Sequence, residues 1–282
     1  MKTVSEILTL SVDFLKKYKI DDARRSSEEI IAYVLGCSRL ELYMQFDKPV
    51  EEEELQKIRQ MLKRRTTHEP LQYILKEVPF YNVLLEVDKN VLIPRSETEM
   101  LVDIVVKDLK KSGRCEGKKV LDLCTGSGAI AISLKKEFPG LDVFGIDISE
   151  EALKVAQRNA IKNEVDVRWL QNDFLAGIDE KFDYIISNPP YVSFEEYESL
   201  QSEVKLFEPK TALVADDNGL FFYKKLADIY EKYLNPGGKI FLEIGFLQKN
   251  ALFNLFFDKK WKISECYQDL NGKDRFFFLE IE

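Results

Sequence analysis

Apolar positions recur at three-and-four spacing through Thr3 to Tyr18, Ala23 to Leu35 and Val50 to Arg65, which predicts amphipathic helices and a small helical domain over residues 1–68. The last of these carries Glu51 to Glu54 in its first turn and Lys63, Arg64 and Arg65 in its last, complementing the helix macrodipole at both ends. Pro70 closes the helical stretch. Leu71 to Glu77 and Phe80 to Val87 then read as two strands around Pro79, a hairpin linker over residues 69–90. Ser96 and Glu99 have capping-box spacing ahead of the apolar helix Met100 to Leu109, opening a second domain over residues 91–282.

In that domain the period alternates. Lys119 to Leu123, Leu141 to Asp147, Val165 to Gln171 and Phe182 to Ser187 read as buried strands, with helices at Ala129 to Phe138 and Glu150 to Asn163 between them. Such alternation predicts an α/β fold, a parallel sheet with helices on both faces. Beyond it come a helix over Leu220 to Leu234, a turn at Pro236-Gly237-Gly238, a strand Lys239 to Ile244 and a helix Gln248 to Phe257. The strands Trp261 to Tyr267 and Arg275 to Ile281, joined at Asn271-Gly272, read as a hairpin that puts an antiparallel strand into the sheet.

Composition narrows the partners. At 45% hydrophobic and 32% charged the chain is an ordinary globular one, without an apolar run long enough to span a bilayer and without a signal peptide, so a cytoplasmic location with no membrane association is expected. A net charge of -8 and a pI near 5.1 argue against stable nucleic-acid binding by charge alone. Cys37, Cys115, Cys124 and Cys266 lack paired spacing and His68 is the single histidine, at a turn, so neither a metal site nor a disulfide framework is expected.

The polar exceptions in the apolar pattern carry the chemistry. Cys124-Thr125-Gly126-Ser127-Gly128 runs from a buried strand into a helix, where glycines admit a ligand to the backbone and a helix N-terminus favours an anion. Asp147 ends the next strand, where a carboxylate can accept both hydroxyls of a ribose. Gly126, Gly128 and Ala131 also fit the dinucleotide fingerprint, so this stretch alone leaves a nicotinamide enzyme and a nucleoside-binding transferase equally open. Asp173-Phe174 follows the third strand, an acceptor for an exocyclic amine beside an aromatic plate. Asn188-Pro189-Pro190-Tyr191 follows the fourth, where two prolines stop the ladder and present an amide, a main-chain carbonyl and a ring at the strand's C-terminal end. A dehydrogenase does not need ribose, adenine and amide contacts in that order.

Together these residues resemble the class I S-adenosylmethionine-dependent methyltransferases, and Asn188 to Tyr191 resembles the motif of those that methylate a planar nitrogen. With Leu71-Gln72-Tyr73-Ile74, Pro79-Phe80-Tyr81, Leu92 to Glu99, Glu208-Pro209, Glu243-Ile244-Gly245 with Gln248, and Asp269 to Arg275, the chain is similar to the peptide chain release factor glutamine methyltransferases over nearly its whole length. Cys124 departs from the glycine usual there. The resemblance implies a Rossmann-like domain with a mostly parallel seven-stranded sheet and an antiparallel strand near one edge. It also implies S-adenosyl-L-methionine as cofactor, S-adenosyl-L-homocysteine as product, and the glutamine of a Gly-Gly-Gln loop in a release factor as substrate. On this reading Cys124 to Gly128 cradle the methionine part, Asp147 the ribose, and Asp173 with Phe174 the adenine, while Asn188, Pro189, Pro190 and Tyr191 hold the substrate amide. Asp122 is either structural or a contact to the cofactor's amino group. The helical domain is expected to supply a second, substrate-selecting contact, since a flexible neutral side chain identifies no particular protein. The rivals are a nucleic-acid amino-methyltransferase, which uses the same amide-and-proline logic on an exocyclic amine, a non-catalytic binding protein, and the dehydrogenase.

Overall fold

The computed structural model describes residues 2–113, 115–257 and 261–282. Two compact units divide the chain: Met1–Lys76 with Gln201–Phe207, and Glu77–Leu200 with Glu208–Glu282.

The first unit is helical. Val4–Lys17, Ala23–Leu35, Arg39–Met44 and Glu52–Arg65 pack around Leu15, Ile30, Ile31, Leu42 and Ile58. Capping boxes at Thr3 with Glu6, Ser38 with Glu41 and Glu51 with Glu54 satisfy three of the helix starts. The basic end of the last helix does more than cap. Buried Arg65 holds Asp22 at 3.0 Å, Glu203 at 2.7 Å and the Glu69 carbonyl at 2.9 Å, so it ties the inserted segment Gln201–Phe207 to the helices.

Leu71–Leu75 is a helix rather than the expected strand, with Leu71 in the helical core. Its apolar run was too short for spacing to separate the two periods. The hairpin is confined to β1 (Glu77–Phe80) and β2 (Val83–Glu86), with Pro79 inside β1 and the turn at Tyr81-Asn82. The free edge of β2 is paired by side chains: Asn159 brackets the Glu86 N–H and carbonyl at 2.6 and 3.0 Å, and Asn163 does the same for Leu84 at 3.2 and 3.0 Å.

The second unit carries a seven-stranded sheet of β3 (Lys119–Leu123), β4 (Asp142–Asp147), β5 (Arg168–Gln171), β6 (Phe182–Ser187), β7 (Leu234–Glu243), β8 (Trp261–Gln268) and β9 (Asp274–Ile281). Their order is β5-β4-β3-β6-β7-β9-β8, parallel throughout except for β9. Successive residues go to opposite faces. Val120 and Ile186 join a core with the helices Ser96–Ser112 and Ala129–Glu137, while Leu121, Leu123 and Ile185 face Phe221–Tyr233 and Lys249–Phe256. The helix from Ser96 starts one residue earlier than a capping box requires. Arg95 is the N-cap, and the Ser96 hydroxyl meets Glu97 instead of the third helical N–H. Asn235 to Gly238 is a register break inside β7 rather than a turn before it. Four short helical pieces between Phe194 and Gly219 are too short and polar to leave a period in the sequence.

Candidate active site

The chain leaves β3 for β4 and β5 on one side of the sheet and returns on the other through β6, so the C-terminal ends of β3 and β6 diverge at a topological switch point. Register fixes what lies along that edge. Leu123 pairs with Ile146 and Ser187, and Ser187 pairs with Leu242, so Asp147, Cys124, Asn188 and Glu243 stand in one row. A cavity of about 580 Å³ opens above the row. Its wall contains Cys124, Thr125, Gly126, Ser127, Asp147, Asp173, Phe174, Asn188 and Pro190.

The polar wall residues Asp147, Asp173 and Asn188 are held by partners of their own. Asp147 accepts the Gly126 N–H and the Ser149 N–H, both at 2.9 Å, which fixes the loop and leaves acceptor capacity on the same two oxygens. Burial pushes its proton affinity up, and those N–H groups oppose the shift. Gly126 has φ +56°, and a Cβ there would meet nothing within 4 Å, so the backbone is open to a ligand. Gly128 is different. It is absent from the cavity wall, and a Cβ on it would strike Trp169 and Ile132 at 2.9 Å, so this glycine serves close packing of the Ala129–Glu137 helix. Cys124 takes φ +62°, the left-handed region in which glycine carries no penalty, which gives a physical reason for a glycine at this place.

Asp122 is fully buried and off the cavity wall. It accepts the Thr125 hydroxyl and the Ala131 N–H, the latter at 3.1 Å, and its other oxygen has no partner. Burial raises its pKa to about 7, against the pull of those two donors. Of the two roles open for Asp122, the structure gives it the structural one.

At the other end, Asp173 pairs with Lys225 at 2.8 Å, and that ammonium lies 5.1 Å from the Phe174 ring centroid. Phe221 and Phe222 complete an aromatic wall. The near side is closed by Lys89 to Leu92 and Pro94, and by Pro209, Thr211 and Ala212. These two segments are pinned together. Buried Glu208 accepts the Ile93 N–H at 3.1 Å and the Arg95 guanidinium, so two motifs far apart in sequence meet at one carboxylate.

Pro189 and Tyr191 do not line the cavity; Tyr191 turns toward a polar cluster behind it. Its hydroxyl lies 3.1 Å from the buried Glu243 carboxylate and 3.4 Å from Arg275. Glu243 also takes the Thr98 hydroxyl at 2.7 Å, and the Asn188 amide N–H donates to Thr98 at 3.0 Å. Thr98, Glu243, Gln248, Glu208 and Arg275 were not assigned from sequence to individual roles. The available signal was a carboxylate at a strand's C-terminal end, as at Asp147, but Glu243 lies inside an apolar run that reads simply as strand. Among the described residues no three His, Cys, Asp or Glu side chains are placed to hold a metal ion.

A doubly wound sheet in this order, with one antiparallel strand beside its edge and a cavity at the β3/β6 switch point, defines a class I methyltransferase. Residues 6–75 match the family described as PrmC N-terminal domain and residues 97–216 that described as Methyltransferase small domain. The chain is 41% identical to a release factor glutamine methyltransferase of Thermodesulfovibrio yellowstonii, covering 91% of this chain and 92% of that one. It is 36% identical to a protein of the same name from Geobacter sulfurreducens, covering 97% and 95%. It belongs to the release factor glutamine methyltransferase family and is an enzyme. A solved methyltransferase from Pyrococcus furiosus shares the fold, with a TM-score of 0.52 at 20% identity over 77% of this chain and 96% of that one.

Proposed function

We propose that the enzyme transfers a methyl group from S-adenosyl-L-methionine to the side-chain amide nitrogen of the glutamine in the Gly-Gly-Gln loop of peptide chain release factors, leaving S-adenosyl-L-homocysteine. The observation that carries this reading is the juxtaposition of Asn188 with the cavity. The strand register sets an amide-type side chain beside the Cys124 to Gly126 loop, on the same edge as Asp147. The residues fit the cofactor. Gly126 leaves room at the backbone, the Asp147 oxygens retain lone pairs for a ribose, and Phe174, Phe221 and Phe222 offer an aromatic wall with Asp173 at its rim. When bound, the cofactor supplies an electrophilic methyl on sulfur.

An amide nitrogen is a poor nucleophile because its lone pair is delocalised into the carbonyl. The Asn188 side-chain oxygen and the Pro189 carbonyl accept its two hydrogens, which aligns the nitrogen and opposes that delocalisation as charge develops. Tyr191 supports the substrate-facing turn. No base is needed before attack, since the methylated cationic amide is acidic enough to lose its proton to water. The helical unit supplies the second contact that selects a release factor.

Asn188→Ala tests the site. It is expected to lower single-turnover methyl transfer by about 10² to 10³ while leaving most of the cofactor affinity, the usual loss for one preorganised polar partner of a transition state. A folded variant at wild-type rate contradicts the role.

A further inference from the structure

We propose that Thr98 and Glu243 are positioning residues that decide which end of the Asn188 amide faces the substrate, a role that rests on the reading of Asn188 given above. An asparagine side chain is nearly the same shape after a half-turn about its last bond, but the turn exchanges an acceptor for a donor. A substrate nitrogen that presents hydrogens needs the oxygen. Something must therefore fix the amide before substrate arrives.

With Glu243 ionised, an acceptor at both oxygens, the direction of every hydrogen in the cluster follows from its one donor-only member. Arg275 carries no acceptor, and its Nη1 lies 3.4 Å from the Tyr191 hydroxyl oxygen, so that oxygen accepts. The hydroxyl's own hydrogen then goes to Glu243 Oε1 at 3.1 Å. Glu243 Oε2 receives the Thr98 hydroxyl at 2.7 Å. With its hydrogen committed, Thr98 Oγ1 offers only lone pairs, and Asn188 Nδ2 fills one of them at 3.0 Å. The amide oxygen is thereby kept as the acceptor on the side away from Thr98. Thr98 and Glu243 are both buried, so water does not compete for these bonds. Arg275 is itself steadied by the Ile244 carbonyl at 3.0 Å and faces Asp269. The arrangement is prepared by topology. Pairing of Ser187 with Leu242 brings Asn188 alongside Glu243, and pairing of Glu243 with Phe276 brings Arg275 to the same end.

Two substitutions test the relay without changing the shape of the site. Thr98→Val removes the hydroxyl and keeps the volume. Glu243→Gln keeps the volume but, with the Tyr191 hydrogen still directed at its oxygen, turns an N–H toward Thr98, which reverses the Thr98 hydrogen and with it the Asn188 amide. Single-turnover methyl transfer to intact release factor is expected to fall about 10- to 100-fold in each, the loss associated with a misplaced polar group. S-adenosylmethionine affinity by calorimetry should stay within about twofold, because neither group enters the polar contacts assigned to it. Thr98→Ser should stay near the wild-type rate. The discriminating measurement is Thr98→Val in an Asn188→Ala background: a residue that acts only through Asn188 costs nothing further there, whereas a general structural defect adds its loss. Wild-type rates in both Thr98→Val and Glu243→Gln beside a slow Asn188→Ala, or additive losses in the double variant, would overturn the relay. A wild-type rate in Asn188→Ala would instead overturn the underlying reading of the site. If Thr98→Val does not fold, Glu243→Gln carries the same comparison against Asn188→Ala.

Discussion

Asp122 and Asp147 lie near the ends of neighbouring strands, yet one is sealed in the core and the other faces the cavity. The two share a face of the sheet, since Asp122 pairs with Gly145 and Asp147 stands two residues further along; the difference is that Asp147 is the last residue of its strand and reaches the open edge, whereas Asp122 lies inside its own. Asp122 points to the face covered by the Ala129–Glu137 helix, where it holds the third N–H of that helix and the Thr125 hydroxyl. Its pKa of about 7 lies above the ordinary Asp value near 3.9, so between those values the folded state binds the extra proton and stability from this group falls as pH rises. Asp122→Asn removes the titration. Urea unfolding should therefore show the wild type losing on the order of 2 to 3 kcal/mol more than the variant between about pH 5 and pH 8; equal losses would contradict the assignment. That Asn188, Asp147 and Asp173 would face one cavity was readable because each interrupts an apolar strand end with a polar group. The packing role of Gly128 was not readable, because its local signature is that of ligand-binding glycines and the residue that demands it, Trp169, arrives from β5. No local pattern carries such a contact.

At the level of elements, the site depends on how the turn after β6 is held from outside. The Val192 N–H meets the Leu213 carbonyl at 2.9 Å, and the Ala215 N–H returns to the Val192 carbonyl at 3.0 Å. Gln248 donates to the carbonyls of Tyr191 and Gly219 at 3.0 and 3.3 Å, and its own oxygen takes the Gly245 N–H at 2.8 Å. These contacts are possible because Gly219 has φ +81° and no Cβ; one added there would lie 2.1 Å from the Tyr191 carbonyl oxygen. Gly219→Ala is expected to cost about 1 to 3 kcal/mol of stability, the range for strain at a special backbone conformation. It should also slow methyl transfer by moving Tyr191. A melting temperature and turnover equal to wild type would contradict this. The alternation of strands and helices was plain in the sequence because buried parallel strands leave continuous apolar runs. The segment from Phe194 to Gly219 was not, because its short helices are ordered by pairings such as Glu208 with Arg95 and not by a periodic face. Leu71–Leu75 failed for the related reason that five residues hold little more than one helical turn.

For the molecule as a whole, an acidic chain of net charge -8 has little general attraction for nucleic acid, and a glutamine side chain gives a catalytic cavity little to recognise. On the proposed function, selection of a release factor then falls to surface contacts beyond the cavity. In the helical unit Leu40 and Met44 lie one turn apart on Arg39–Met44 and are 80% and 79% exposed, an apolar pair that contributes nothing to the core beneath it. Replacing both with serine is expected to raise KM for intact release factor by about tenfold, on the order of 1.4 kcal/mol, with single-turnover rate at saturation and S-adenosylmethionine affinity unchanged. An unchanged KM would remove this face from recognition. The existence of two domains was visible in the helical and alternating patterns, whereas the membership of Gln201–Phe207 in the helical unit was not, because it depends on the buried Arg65 meeting Glu203. The central claim is the identity of the acceptor atom, and mass-spectrometric localisation of the transferred methyl group on intact release factor tests it most directly, with tRNA and DNA offered in parallel. The account predicts a single methyl on the side-chain nitrogen of the Gly-Gly-Gln glutamine, abolished when that glutamine is replaced by alanine. Robust methylation of nucleic acid with none on the release factor would contradict it.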